Sequence, residues 1–234
     1  MDVIELLPRL HLLRFPVGQA YLWRDEAELT LIDAGPIGAG DEIAGAVTAL
    51  GHAPGDVRRI VLTHFHEDHV GGAGEFAALS GAEVLAHHLE AQFVRGELPG
   101  PPPRFEEWEL PIHAAALRQL PKGRPVPPAA LTTVSEGDVL DVGGGARVLH
   151  VPGHTDGSIA LFLPEHGVLF TGDSVAASPV DGTVMPGVLN LDRAQLLVSL
   201  GTLAALDAEV ACFGHGDPVV GGAAAALRRV ASTR

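Results

Sequence analysis

The chain opens with four short runs in which aliphatic, β-branched and aromatic residues crowd together between turn residues: "VIELL" (3–7), "LHLLRF" (10–15), "QAYLW" (19–23) and "LTLID" (29–33). Runs of this length and composition predict strands. "GAGDEIAGAVTALG" (38–51) changes to helical spacing and stops on a glycine, which predicts a helix. "RRIVLT" (58–63) predicts a buried strand, "EFAALSG" (75–81) the continuation of a helix begun near Asp68, and "AEVLAH" (82–87) another strand. Strands resume at "ARVLHV" (146–151), "SIALFL" (158–163) and "GVLFTG" (167–172). "LDRAQLLVSLGTLAALD" (191–207) is the clearest amphipathic helix, followed by the strand "AEVACF" (208–213) and a closing helix, "GGAAAALRRVAS" (221–232). Each half therefore starts with several strands and ends in alternating helix and strand. That order predicts an α+β fold: two mixed β-sheets packed face to face with helices on both outer faces, a four-layer αββα sandwich.

One stretch breaks the pattern. "ELPGPPPRFEEWELP" and "LPKGRPVPPAA" are rich in proline and flank a short helical run, "IHAAALRQL". A long irregular segment inside a compact fold is usually functional or mobile. Residues 98–128 are therefore expected to form an insertion or lid within a single domain spanning 1–234. "VGGGAR" (142–147) lacks the Lys and Ser/Thr of a phosphate loop and reads as a hairpin turn.

Composition narrows the function classes. With 234 residues, 47% of them hydrophobic and 19% charged, the chain is globular and can bury a substantial core. Its formal charge of −14 disfavours nucleic-acid binding, which depends on neutralising phosphates. No apolar run approaches the ~20 residues that span a bilayer, and the acidic "MDVIELL" opening does not resemble a secretion signal. A cytoplasmic protein with a small-molecule substrate, no nucleic-acid partner and no membrane is the expectation. The single cysteine, Cys212, excludes an internal disulfide and a cysteine-cluster metal site. Exposed apolar surface in the Pro-rich segment could seat a second copy of the chain as a homodimer.

The chemistry concentrates in "VLTHFHEDHVGG" (61–72), which sets three histidines and two carboxylates into six residues directly after an apolar run. Packing does not explain that density, because Asp and Glu are rarely buried unless paired. The groups emerge at a strand's C-terminal end, where α/β sheets build their sites. Read as extended chain, His64, His66 and Asp68 face one way and Phe65 and Glu67 the other, with His69 beginning a helix. Imidazoles and carboxylates are ligands for Zn, Fe or Mn. The paired glycines allow close backbone approach. Three further strand ends deliver a His or Asp beside glycine: His154 in "VPGHTDGS", Asp173 in "LFTGDS" and His215 in "CFGHGD". Phe65, Trp108, Met185 and Tyr21 are candidates for a substrate wall, each with core packing as the alternative.

"HFHEDH" matches the H-x-H-x-D-H signature of the metallo-β-lactamase fold superfamily. "PGHT", "TGD" and "GHG" match its later metal motifs in order, and "LIDAG" its early Asp-containing strand end. The resemblance covers roughly Tyr21 to His215. It implies that His64, His66 and His154 hold one metal, that Asp68, His69 and His215 hold a second, and that Asp173 bridges both. Asp33 would orient ligands through hydrogen bonds. Two divalent ions are implied, zinc first, with iron or manganese as alternatives. The implied chemistry is hydrolysis by hydroxide generated at the metals, with Asp68 aligning it or shuttling a proton. Small-molecule esters, thioesters and lactones are the expected substrates.

Departures from the family's branches prune this. The chain ends soon after His215, which weakens a glutathione thioester as substrate. No tyrosine follows Asp173, which weakens lactone hydrolysis. The acidic charge argues against the nucleases, and no export signal supports a β-lactam hydrolase. The competing reading is a mononuclear iron oxygenase resembling persulfide dioxygenases; β-lactam or phosphodiester hydrolysis ranks below both.

Overall fold

The computed structural model describes residues 1–232. The chain forms two compact units. One comprises Met1–Gly100 with Ala114–Val134, and the other Pro101–His113 with Ser135 onward.

The first unit begins with β1 (Asp2–Leu7), β2 (Leu10–Arg14), β3 (Gln19–Asp25) and β4 (Glu28–Ile32), an antiparallel meander. Helix α1 (Gly40–Ala49) then returns the chain to β5 (Val57–Val61), which lies parallel to β4. Helices α2 (Glu67–Val70) and α3 (Ala73–Ser80) lead to β6 (Glu83–His87), parallel to β5. After the short α4 (Ala91–Val94) and after α5 (Leu110–Gln119), whose first four residues belong to the second unit, β7 (Thr132–Val134) adds a further parallel strand. The seven strands are ordered in the sheet as in the chain. Parallel pairing demands crossover connections, and the helices supply them. Ile43 and Val47 of α1 and Phe76 of α3 are buried in one cluster with Leu13, Leu22, Leu31 and Ile60 of the sheet. Burying a residue of this size contributes on the order of 1.5–3 kcal/mol, so this cluster is a main source of the unit's stability.

The second unit contains β8 (Val139–Leu140), β9 (Ala146–His150), β10 (Ile159–Leu163), β11 (Val168–Phe170), β12 (Val175–Ala177) and β13 (Val184–Pro186). It continues with α6 (Arg193–Ala204), β14 (Val210–Cys212), β15 (Val219–Val220) and α7 (Ala223–Ser232). Six strands form a sheet in the order β15-β14-β11-β10-β9-β8, and β12 and β13 pair separately. Only β11 and β14 run parallel, joined through α6. Every residue of β10 is buried, as its unbroken "IALFL" run requires of a central strand. Leu200 and Leu203 of α6 and Leu227 of α7 pack with Phe162, Leu169 and Phe213. The "VGGGAR" stretch is the β8–β9 hairpin turn, with positive φ at Gly143, Gly144 and Gly145.

Two expectations are modified. The helix near Asp68 is interrupted, because the Gly72 N–H bonds to the Gly35 carbonyl at 3.3 Å instead of continuing the helical ladder. The Pro-rich segment is shared, with 101–113 in the second unit and 98–100 and 114–128 in the first. Among the described residues, no helix is long and apolar enough to cross a membrane.

Cys212 on β14 is 1% exposed, and burial pushes its thiol well above the usual range. A buried, protonated thiol is a poor nucleophile. Native protein is therefore expected to react negligibly with a disulfide reagent at neutral pH and to release one thiol equivalent per chain once unfolded in guanidinium. Full reaction of the native protein would contradict this placement.

Candidate metal centre

In the first unit the site starts at the ends of β4 and β5. Asp33, the residue after β4, is buried and has a φ of +58°, a left-handed conformation that aspartate tolerates better than most residues. Its carboxylate accepts the Thr63 N–H at 2.8 Å and the Thr63 hydroxyl at 2.8 Å, and lies 2.8 Å from His69 Nδ1. The Thr63 Oγ1 also sits 3.0 Å from His64 Nδ1. These contacts assign the ring protons. Thr63 O–H donates to Asp33, so its oxygen accepts from His64 Nδ1–H; His69 Nδ1–H donates to the carboxylate. With Nδ1 the protonated nitrogen, Nε2 is the one left to a metal, the form a ligand histidine takes.

His64 Nε2 and His66 Nδ1 approach to 3.1 Å, and the His64 and His69 rings lie 4.1 Å apart. His66 caps α2, and Asp68 and His69 occupy its first turns, with Asp68 Oδ2 3.8 Å from His69 Nε2. Asp68 is therefore not in the extended chain with His64 and His66, as the alternating reading had it; one helical turn brings its carboxylate beside His69. The Phe65 N–H donates to Glu90 Oε2 at 2.8 Å, and Glu90 is fully buried. A Cβ on Gly71 would lie 2.2 Å from the Ile37 nitrogen, so only glycine lets α2 approach the 34–37 loop.

In the second unit three strand ends converge. His154 follows β9, Asp173 follows β11 and His215 follows β14. His154 Nε2 is 3.5 Å and His215 Nε2 3.2 Å from the same oxygen, Asp173 Oδ2. His154 Nδ1 faces two acceptors, the Val188 carbonyl at 3.1 Å and Asn190 Oδ1 at 3.3 Å. Both acceptors favour a proton on Nδ1. The ring's Nε2 faces the Asp173 carboxylate, an approach that either a ring proton or a shared divalent cation satisfies. The donor set of each unit, imidazole nitrogen and carboxylate oxygen, suits zinc, iron or manganese.

The seven residues expected as ligands lie in one or other of these two clusters, and Asp33 lies against His69. Thr63, Glu90 and Asn190 were not foreseen. Thr63 carried the one available signal, being the polar residue between an apolar strand and His64. Of the wall candidates, Tyr21 is buried and accepts the Gln19 amide at 2.9 Å, Trp108 is exposed, and Phe65 and Met185 are half-buried.

The model of the Metallo-beta-lactamase superfamily matches residues 13–215. A hydroxyacylglutathione hydrolase of Rhodobacter capsulatus is 31% identical over 84% of this chain and 61% of its own length. A probable metallo-hydrolase of Bacillus subtilis, YqjP, is 29% identical over 88% of this chain and 69% of its own. The chain thus spans only about three fifths of the Rhodobacter capsulatus hydrolase, and 48% of one from Cereibacter sphaeroides. Among solved structures, a metallo-beta-lactamase family protein from Thermus thermophilus is 30% identical, with a TM-score of 0.68 over 97% of this chain and 78% of that one. The metallo-beta-lactamase SMB-1, at 22% identity, superposes with a TM-score of 0.74 over 100% of this chain and 94% of that one. The expected α+β sandwich class is the fold these structures share with it. By its sequence motifs, its fold and the matched region, the chain belongs to the metallo-β-lactamase superfamily.

Proposed function

We propose that the ligands of the two units together hold a pair of divalent metal ions, and that the protein is a hydrolase of small-molecule thioesters, esters or lactones. His64, His66 and His154 serve one ion, Asp68, His69 and His215 the other, and Asp173 bridges them. The observation that carries this reading is the convergence of His154 and His215 Nε2 on one Asp173 oxygen, with His154 Nδ1 turned to the Val188 carbonyl. The pairing of Asp33 with His69 and of Thr63 with His64 supports it from the other ligand set. Bound there, the metals supply hydroxide at neutral pH and polarise the carbonyl under attack.

The chain's own residues do the rest. Asp33 and Thr63 fix the rings of His69 and His64. Asp68 aligns the attacking water and carries its proton to the leaving group. Relatives named hydroxyacylglutathione hydrolases favour a thioester among the three substrate classes. We further read residues 98–128 as the segment that sets substrate preference; Leu98, Phe105, Trp108, Leu110, Leu117 and Val126 there are exposed apolar side chains.

Elemental analysis of purified protein, with thioester, ester, lactone, β-lactam and phosphodiester substrates, tests the proposal. Two equivalents of zinc, manganese or iron and turnover of a carbonyl substrate are expected, lost on chelation and restored by metal. One equivalent of iron with oxygen uptake would replace this reading by an oxygenase.

Asp68→Asn keeps the shape of the side chain and removes its basicity. It is expected to lower kcat by about 100-fold, the lower range for losing a general base, with KM little changed. A variant with full metal content and wild-type turnover would remove the proton-transfer role. Exchanging residues 98–128 for the equivalent segment of a relative is expected to change substrate ranking more than metal content.

A further inference from the structure

Glu109 lies in the Pro-rich segment yet is only 1% exposed. Both of its carboxylate oxygens are committed to backbone donors: Oε1 accepts the Leu189 N–H at 3.0 Å, and Oε2 accepts the Glu106 N–H at 2.9 Å. Leu189 has a φ of +59°, in the left-handed region that leucine rarely adopts. Its neighbours on each side are the groups that face His154 Nδ1, the Val188 carbonyl and Asn190 Oδ1.

The same short loop is anchored from several directions within the second unit. Asn190 Nδ2 donates to the Gly187 carbonyl at 2.8 Å, and the Asn190 carbonyl accepts the Arg104 N–H at 2.9 Å. The Arg193 guanidinium lies 3.2 Å from the Glu106 carboxylate. Residues 104–109 thus grip 189–193 on one side, while 188–190 contact a ligand histidine on the other.

We infer that Glu109 is a positioning residue for the metal centre: by holding Leu189 left-handed it fixes Val188 and Asn190, and through them the proton of His154. This rests on His154 being a metal ligand. Without the carboxylate, Leu189 loses the acceptor that compensates its backbone conformation. The loop then relaxes toward right-handed geometry, and the two acceptors leave His154 Nδ1. The imidazole is freed to rotate or change tautomer, so Nε2 is no longer presented.

Zinc affinity, measured by competition with a chromophoric chelator, tests this on the full chain, with cobalt(II) absorption reporting ligand geometry. Glu109→Ala is expected to weaken one of two zinc equivalents by about 10- to 100-fold, the usual effect of losing a group that orients a ligand. Glu109→Gln, whose amide oxygen still accepts from Leu189, is expected to lose less. Adding Leu189→Gly should recover most of the loss in either variant, because glycine adopts the left-handed conformation without a tether. A residue needed only for folding would show no such recovery. Should Glu109→Ala fail to fold, the Glu109→Gln pair decides alone. Wild-type affinity in the Glu109 variants, or no recovery on adding Leu189→Gly, overturns the inference while leaving the metal centre standing. A wild-type protein that takes up no zinc overturns both.

Discussion

Replacing Asp33 with alanine is expected to destabilise the metal-free protein by about 3–5 kcal/mol, as leaving several buried donors without an acceptor does, and to weaken zinc binding by about 10- to 100-fold. The carboxylate takes three donors, the Thr63 N–H, the Thr63 hydroxyl and His69 Nδ1. Each buried donor left without an acceptor costs about 1–3 kcal/mol. Alanine is also a poor residue at a φ of +58°. The two effects have one origin: the bonds that stabilise the turn also assign the tautomers of His64 and His69. Asp33→Asn should fall between wild type and alanine, since asparagine tolerates the backbone and retains one acceptor oxygen. Urea unfolding of the metal-free proteins and chelator competition measure the two losses separately. An alanine variant within about 1 kcal/mol of wild type, well below the cost of those unmet donors, would refute the structural role.

Replacing Gly187 with alanine is the second large effect. A Cβ there would fall 1.7 Å from the Asp173 carbonyl oxygen, and the atoms it meets are all backbone of Asp173 and Ser174, with no flexible side chain to yield. A loss of at least about 3 kcal/mol is expected, at the upper end for overpacking. The displaced strand end carries Asp173, so metal uptake should fall with it. Gly45 provides the contrast. It lies on the exposed face of α1 with open space around its position, and Gly45→Ala should stabilise by up to about 1 kcal/mol. Thermal unfolding of both variants checks the pair. A Gly187→Ala protein with wild-type Tm would mean that the 187–190 loop does not sit against Asp173.

The sequence was most readable where one physical pattern governed a whole element. Strands such as "LTLID" and "SIALFL" are buried runs bounded by turns, and they appear as β4 and β10. The seven proposed ligands stood out because each sits where an apolar strand ends on glycine or in the dense "HFHEDH" cluster. Asp33 was readable from the same grammar. Elements of two or three residues, β8, β12, β13 and β15, carry too few positions for any period to show. The break between α2 and α3 escaped notice because its cause, the Gly35 carbonyl, lies nearly forty positions away. Glu90 and Glu109 were invisible for a related reason. An acid among prolines or after histidines reads as surface, and only the folded chain reveals that its partners are backbone N–H groups 25 and 80 positions distant.

The excursion of residues 101–113 into the second unit has a bearing on synthesis. The ribosome delivers Glu109 eighty residues before Leu189. During that interval the first unit's strands have all emerged, while a proline-rich strap carrying Glu109, buried in the folded protein, still waits for its dock. A nascent chain stalled before residue 189 should therefore expose this strap to proteases and chaperones, and its protection should appear only when the 187–193 loop has left the exit tunnel.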